Sequence, residues 1–223
     1  MVEKRIEGVV LKTIPHKEND RVVTLLTLDS GVINLYVRGL SKKRTTLVNL
    51  TTPFCHGEFV IKKGKSDLYL FLDGTILNLH LPLRRSYRHL EVGGKMVQAI
   101  LKTQLPGKNA PALCQMFLTF LKKLPDTCFP EGLWATFQLK LLKHEGLLAI
   151  TPNCLLCTAP ASQILNGESR CMECGSGLPF SKEDWKMLHA LFKTRSLAPL
   201  LSVELPSSLL NGIDTCFRRE IML

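Results

Sequence analysis

The sequence predicts an α+β chain: a five-stranded barrel at the N-terminus, then helices, with a four-cysteine loop inserted among them. Three observations carry this. Short β-branched and apolar runs fill the first third of the 223 residues. The apolar spacing then changes from alternation to a helical period. Finally, Cys154-Leu-Leu-Cys157 is followed, thirteen residues on, by Cys171-Met-Glu-Cys174.

The strands come in order. Ile6 to Ile14 is the first, with Gly8 marking a bulge or a close approach. Arg21 to Leu28 is the second, closed by the turn signal Asp29-Ser30-Gly31. Val32 to Arg38 is the third. It alternates, with Ile33, Leu35 and Val37 on one face and Asn34, Tyr36 and Arg38 on the other. Phe54 to Lys62 is the fourth, and Leu68 to Leu72 returns from a hairpin turn at Lys63-Gly64-Lys65-Ser66-Asp67 as the fifth. Five such strands suit the Greek-key oligonucleotide-binding barrel, or OB fold, with an SH3-like barrel as the alternative.

From Leu83 to Leu105 the spacing is helical, with Gly93-Gly94 weakening the middle. Ala112 to Leu124 is a second helix, and Pro130 opens a third carrying Trp134, Phe137, Leu141 and Leu142. Ser181-Lys-Glu-Asp184 reads as a capping box before a helix with Trp185, Leu188, Leu191 and Phe192 inward. Ser207 to Leu223 closes the chain as a further helix. The expected division is a barrel over 1–80, a helical bundle over 81–150, a cysteine loop over 151–180 and C-terminal helices over 181–223 that pack on the helical domain.

Two Cys-x-x-Cys pairs at this separation are a zinc pattern. Folding back the hairpin between them brings four thiolates into a tetrahedron. One Zn²⁺ bound by Cys154, Cys157, Cys171 and Cys174 would be coordinatively full, hence structural. Two disulfides or four unrelated core cysteines are the alternatives. Cys55, Cys114, Cys128 and Cys216 stand singly and read as small core hydrophobes. The N-terminus lacks a signal-peptide apolar run, so a reducing compartment is expected.

The formal net charge is +10. Residues 1–74 hold twelve Lys/Arg against eight Asp/Glu, 75–150 hold ten against four, and 151–223 are balanced at seven each. The excess lies before the cysteine loop, and a polyanionic partner is expected there. Arg38, Lys42, Lys43 and Arg44 are the foremost candidates for contacts to nucleic-acid phosphates. Lys62, Lys63 and Lys65 come second; Arg84, Arg85 and Arg88, just after the barrel, come third. Tyr36 shares a strand face with Arg38 and is placed to stack on a base. Neutralised phosphates release counterions, so such a face binds without reading sequence.

Catalytic signatures are absent. The histidines at 16, 56, 80, 89, 144 and 189 form no His-Glu-x-x-His. Gly64-Lys65-Ser66 has the tail of a phosphate loop, but Phe59 stands where the first glycine is needed. An adaptor of transcription or translation that binds RNA through the same barrel and zinc loop is the competing non-enzymatic reading.

The whole resembles the RecO family of bacterial recombination mediators. The resemblance rests on Glu7-Gly-Val-Val-Leu11, Glu18-Asn-Asp20, Val37-Arg38-Gly39-Leu40, Lys42-Lys43-Arg44, Gly64-Lys65-Ser66-Asp67-Leu68 and the four paired cysteines. Thr158 departs from it, since glycine commonly follows the second cysteine. The resemblance implies a bacterial cytoplasmic protein that binds single- and double-stranded DNA and anneals complementary strands. It also implies contact with the acidic tail of single-stranded DNA-binding protein, and work with RecR to help RecA load.

Overall fold

The computed structural model describes residues 3–40, 44–64 and 68–222. The chain forms two compact units. One comprises residues 1–90 with 104–125, the other residues 91–103 with 126–223.

The first unit is built on a closed barrel. Its strands are β1 (Glu3–His16), β2 (Asp20–Thr27), β3 (Gly31–Val37), β4 (His56–Lys63) and β5 (Leu68–Asn78), in the order β1-β2-β3-β5-β4. β1 also pairs antiparallel with β4, and β3 closes on β5 in the parallel sense over three residues. This is the OB arrangement. The alternation expected of β3 is present, with Ile33, Leu35 and Val37 buried inside and Arg38 exposed. Val10, Val23, Leu25, Phe59 and Ile61 complete the barrel core. At Gly8 a Cβ would lie 2.8 Å from the Leu26 carbonyl oxygen, a close approach, while the bulge of β1 falls between Val10 and Lys12.

A short helix, α1 (Thr45–Leu50), lies between β3 and β4. It seats Leu50, only 1% exposed, over Gly57 and Gly74. A Cβ at either glycine would fall within 2.9 Å of a Leu50 methyl. The two glycines therefore make the socket, and burying Leu50 in it contributes about 2 kcal/mol. β5 runs on to Asn78 rather than ending at Leu72 because Gly74 belongs to that socket and stays within the ladder.

After a 3-10 turn at Leu81–Arg85 comes α2 (Tyr87–Thr103), one continuous helix despite Gly93-Gly94. α3 (Pro111–Lys123) packs on β1 and β2, where the Cys114 thiol faces the Leu26 carbonyl at 3.6 Å. It thus belongs to the barrel's own unit.

In the second unit α4 (Pro130–His144) is the centre. Its buried residues surround it, Leu133, Phe137 and Leu141 among them, so it presents no single polar face. α5 (Lys182–Lys193) and α6 (Ser207–Met222) pack against it. Ser181 caps α5 as expected, its Oγ accepting the Asp184 N–H at 3.0 Å, a cap that contributes about 1 kcal/mol. At the other end of α5, Lys140 donates to the Phe192 carbonyl at 2.9 Å, satisfying one of the carbonyls a helix end leaves open. A groove of about 790 Å³ runs along the unit, lined by Ala99, Lys102, Trp134, Gln138, Leu210 and Phe217 among others. Trp134 lines it, whereas Phe117, in the other unit, is fully buried core.

The cysteine loop carries a small sheet of β6 (Gln163–Leu165), β7 (Glu168–Arg170) and β8 (Leu178–Pro179), in the order β7-β6-β8. β6 and β7 form the hairpin that folds back between the cysteine pairs. Its two-residue turn, Asn166-Gly167, takes positive φ at both positions. Of the single cysteines, Cys55, Cys114 and Cys216 are buried, with thiols pushed by burial to about 11, 12 and 12. Cys128 is exposed, contrary to its reading as core: it falls between the buried Thr127 and the start of α4, on a turn that faces solvent.

Candidate functional site

Among the described residues, the cations expected to meet phosphate sit at strand ends and connections of the barrel unit and at the start of α2. Arg38 is exposed where β3 ends, and Arg44 is exposed immediately before α1, its guanidinium beside Gly39. Arg44 thus lies beside the residue that follows Arg38 in the chain. Lys62 and Lys63 end β4, with Lys63 exposed. Lys62 stands opposite Leu70, which stands opposite Tyr36, so it shares the outer barrel face with Tyr36 and Arg38. Lys42, Lys43 and Lys65 lie outside the described residues.

Arg84, Arg85 and Arg88 are exposed, but they are placed elsewhere. Arg84 donates to the Pro53 carbonyl at 3.4 Å, just before β4 begins, whereas Lys62 and Lys63 lie where β4 ends. The length of that strand, roughly 24 Å at about 3.4 Å per residue, separates the two groups.

Asp20 organises the first group, and sequence reasoning did not single it out by itself. Its carboxylate accepts the Tyr36 hydroxyl and, at 3.1 Å, the Gly39 N–H. The Asn19 carbonyl accepts the Leu40 N–H at 2.6 Å. The β1–β2 turn therefore grips the chain where it leaves β3 toward Arg44. The Tyr36 hydroxyl, then the Gly39 N–H, hold the Asp20 carboxyl below its ordinary value, and the same bond pushes the Tyr36 phenol up. The Arg38 guanidinium lies over the Tyr36 ring at 5.5 Å from its centroid, and the His16 ring meets Tyr36 edge-on at 5.5 Å.

The second candidate is the four-cysteine centre. The sulfurs of Cys154, Cys157, Cys171 and Cys174 all lie within 4.8 Å of one another, with Cys157 and Cys171 at 3.4 Å. A Zn–S distance of about 2.3 Å in a tetrahedron sets sulfur–sulfur edges of about 3.8 Å. The observed spacings bracket that edge, and none of the cysteines is in a disulfide. Backbone N–H groups turn toward the sulfurs, as at Leu156, which donates to Cys154 Sγ at 3.4 Å.

The electrostatics agree. Burial opposes ionisation at Cys154, yet the N–H groups of Cys157, Leu156 and Cys171 hold its thiol down at about 6. At Cys174 the neighbouring Cys157 and Cys171 sulfurs push the thiol up to about 12. Cys171 is likewise held down and Cys157 pushed up, so the cluster favours ionisation at two of its thiols and opposes it at the other two; a divalent cation at its centre lets all four ionise. The donor set, spacing and charge pattern fit zinc.

Gln163, missed from sequence, braces this centre. It is 2% exposed; its Nε2 donates to the carbonyls of Cys171 and Gly175, both at 2.6 Å, and its Oε1 accepts the Gly177 N–H at 2.7 Å. Thr158, after the second cysteine, adopts φ +63°, the conformation that favours glycine. Among the described residues these four cysteines are the one group of three or more His, Cys, Asp or Glu side chains placed to hold a metal ion, and no helix is long and apolar enough to cross a membrane.

Comparison with known proteins agrees with this architecture. Residues 1–80 match the family model described as Recombination protein O N terminal. The chain is 30% identical over 218 residues to the DNA repair protein RecO of Chlamydia pneumoniae, covering 95% of this chain and 86% of that one. It is 29% identical over 220 residues to the same-named protein of Chlamydia trachomatis serovar D, covering 95% and 90%. With that of Acetivibrio thermocellus it shares 24% over 225 residues, 96% and 89% of the two chains. A barrel that matches the family's N-terminal model, followed by similarity running through the helices and the cysteine loop, places this chain in the RecO family.

Proposed function

We propose that this chain is a non-catalytic recombination mediator of DNA repair in the bacterial cytoplasm. It binds single- and double-stranded DNA through the barrel of residues 1–80 and anneals complementary strands. With RecR it helps load RecA onto DNA coated by single-stranded DNA-binding protein, whose acidic tail it contacts. Cys154, Cys157, Cys171 and Cys174 hold one structural Zn²⁺ that fastens the loop of residues 151–180 to the helices. The observation that carries this reading is the 30% identity, over 95% of the chain, with a protein named for DNA repair.

The physical chemistry supports it. Two complementary strands repel through their phosphates. A surface that neutralises phosphate while leaving base edges free lets them pair. Arg38 and Arg44 at the exit of β3, with Lys62 on the same outer face as Tyr36, supply positive charge for phosphate.

The test is annealing of two complementary labelled oligonucleotides by the full chain, without nucleotide, as salt is titrated. Acceleration that fades with salt is expected. A folded, zinc-loaded chain that leaves annealing at its spontaneous rate and prefers RNA in competition would replace this reading with the RNA-adaptor one. A labelled peptide carrying the acidic tail should bind the same preparation.

A further inference from the structure

We propose that Tyr36, flanked by His16 and Arg38, is a stacking platform for an unpaired DNA base, by which the barrel favours single strands over duplex. This deepens the DNA-binding reading above and rests on it. The cations alone predict no such preference, because phosphates are present in both forms.

Strand register places the platform. Ile14 pairs with Val22, Val22 with Tyr36, Tyr36 with Leu70, and Leu70 with Lys62. Paired residues project to the same side of a sheet, so these five form one row across the outside of the barrel. Four of them are apolar or aromatic. Ile14 is 44% exposed, and Val22, Tyr36 and Leu70 are partly so. A half-exposed apolar row ending in a lysine, with Arg38 beside its aromatic member, has the composition of a single-strand groove: a π-face for the base and cations for the backbone on either side.

Tyr36 is also held ready. Its hydroxyl is tied to Asp20, and the His16 ring packs nearly perpendicular to it, so little rotamer freedom remains to be lost on binding. Arg38 lies over its face. A planar guanidinium has much the footprint of a base edge. When a base takes that place, Arg38 is free to turn to the adjoining phosphate. Paired bases stay inside the duplex stack and cannot reach the ring, so stacking on Tyr36 is open only to unpaired strands.

The experiment compares binding of the full-length native chain to an oligothymidine of about 20 nucleotides and to an abasic strand of equal length, at one salt concentration. The oligothymidine should bind on the order of tenfold more tightly. Tyr36→Leu should abolish that difference, and Tyr36→Phe, which keeps the ring, should retain it. Equal affinity of the native chain for the two strands overturns the platform without needing any variant to fold, and so does an undiminished difference in Tyr36→Leu. Binding to neither strand would defeat the DNA reading itself and is distinguishable from both.

Discussion

The side-chain amide of Gln163 donates to the carbonyl of Cys171 at 2.6 Å, so a buried residue of β6 fixes the backbone of a cysteine eight positions away. The same side chain also holds Gly175 and Gly177, the chain leaving the second cysteine pair. Gln163→Leu keeps the bulk but strands two carbonyls and an N–H, each at a cost of about 1–3 kcal/mol if left unsatisfied. Groups that orient metal ligands typically contribute 10–100-fold to affinity. We expect zinc affinity to drop by roughly that factor, read by competition with a chromogenic chelator; an unchanged affinity would show that the cysteines orient themselves.

Thr158 carries a β-branched side chain at φ +63°. The left-handed conformation costs an ordinary L-residue about 1–2 kcal/mol, and glycine escapes that cost. Thr158→Gly should therefore stabilise the loop by about 1 kcal/mol, part of the gain being offset by the greater freedom of glycine in the unfolded chain. Denaturant titration of the zinc-loaded protein measures it. A loss of stability would mean that the Thr158 side chain contributes more than its backbone costs.

Removing one ligand tests the centre directly. Cys171→Ser should purify without stoichiometric zinc, and its melting temperature should fall to that of the chelator-treated native chain. Because the ligands are thiolates, protons compete with the metal: the native chain should release zinc as pH falls and recover it as pH rises. Full metal retention in Cys171→Ser would contradict the four-ligand assignment.

Legibility from sequence followed how local each signal was. β3 was readable because burial of one face imposes strict alternation on Ile33, Leu35 and Val37, and the cysteine pairs because two residues between ligands is itself the geometry of the turn. α1 was not readable. Thr45 to Leu50 is short and poor in helix formers, and the helix exists because Leu50 fits a socket made by Gly57 and Gly74, which lie on other strands. The same socket hid the true length of β5, since Asp73-Gly74 otherwise suggests a turn. Asn166-Gly167 was a local hairpin signal available to a closer reading. The grip of Asp20 on Tyr36, and of Gln163 on Cys171, is a relation between distant positions that no spacing rule encodes.

His80 gives a pH dependence with a defined sign. Burial pushes its imidazole below the ordinary value, against the Phe54 carbonyl bonded to it at 3.0 Å, while His56 nearby adds to the lowering. The folded chain therefore binds this proton less readily than the unfolded chain does. Stability from the neutral ring is complete above about pH 6.5 and is lost as pH falls through the lower folded value. His80→Gln, which keeps an N–H for the Phe54 carbonyl, should flatten the decline in stability below pH 6.5. Equal slopes would assign the acid sensitivity elsewhere.

The most informative substitutions are at Lys42, Lys43 and Arg44. Arg44 lies beside Gly39, whose N–H is held by Asp20, and Arg38 immediately precedes that glycine. If its cations neutralise phosphate, binding releases condensed counterions, and each phosphate left without its cation lowers the slope of log affinity against log salt by about 0.7 on single strands. Replacing all three by glutamine should weaken binding and flatten that slope by roughly 2, in the same proportion for every sequence tried, because phosphate carries no base identity. Glutamine replacement of Arg84, Arg85 and Arg88, at the far end of β4, separates the two groups of cations. If the first triple variant keeps its slope and the second has a flatter one, the polyanion tracks the start of β4 rather than the exit of β3. If the slope flattens in both variants, the bound strand spans the length of the barrel.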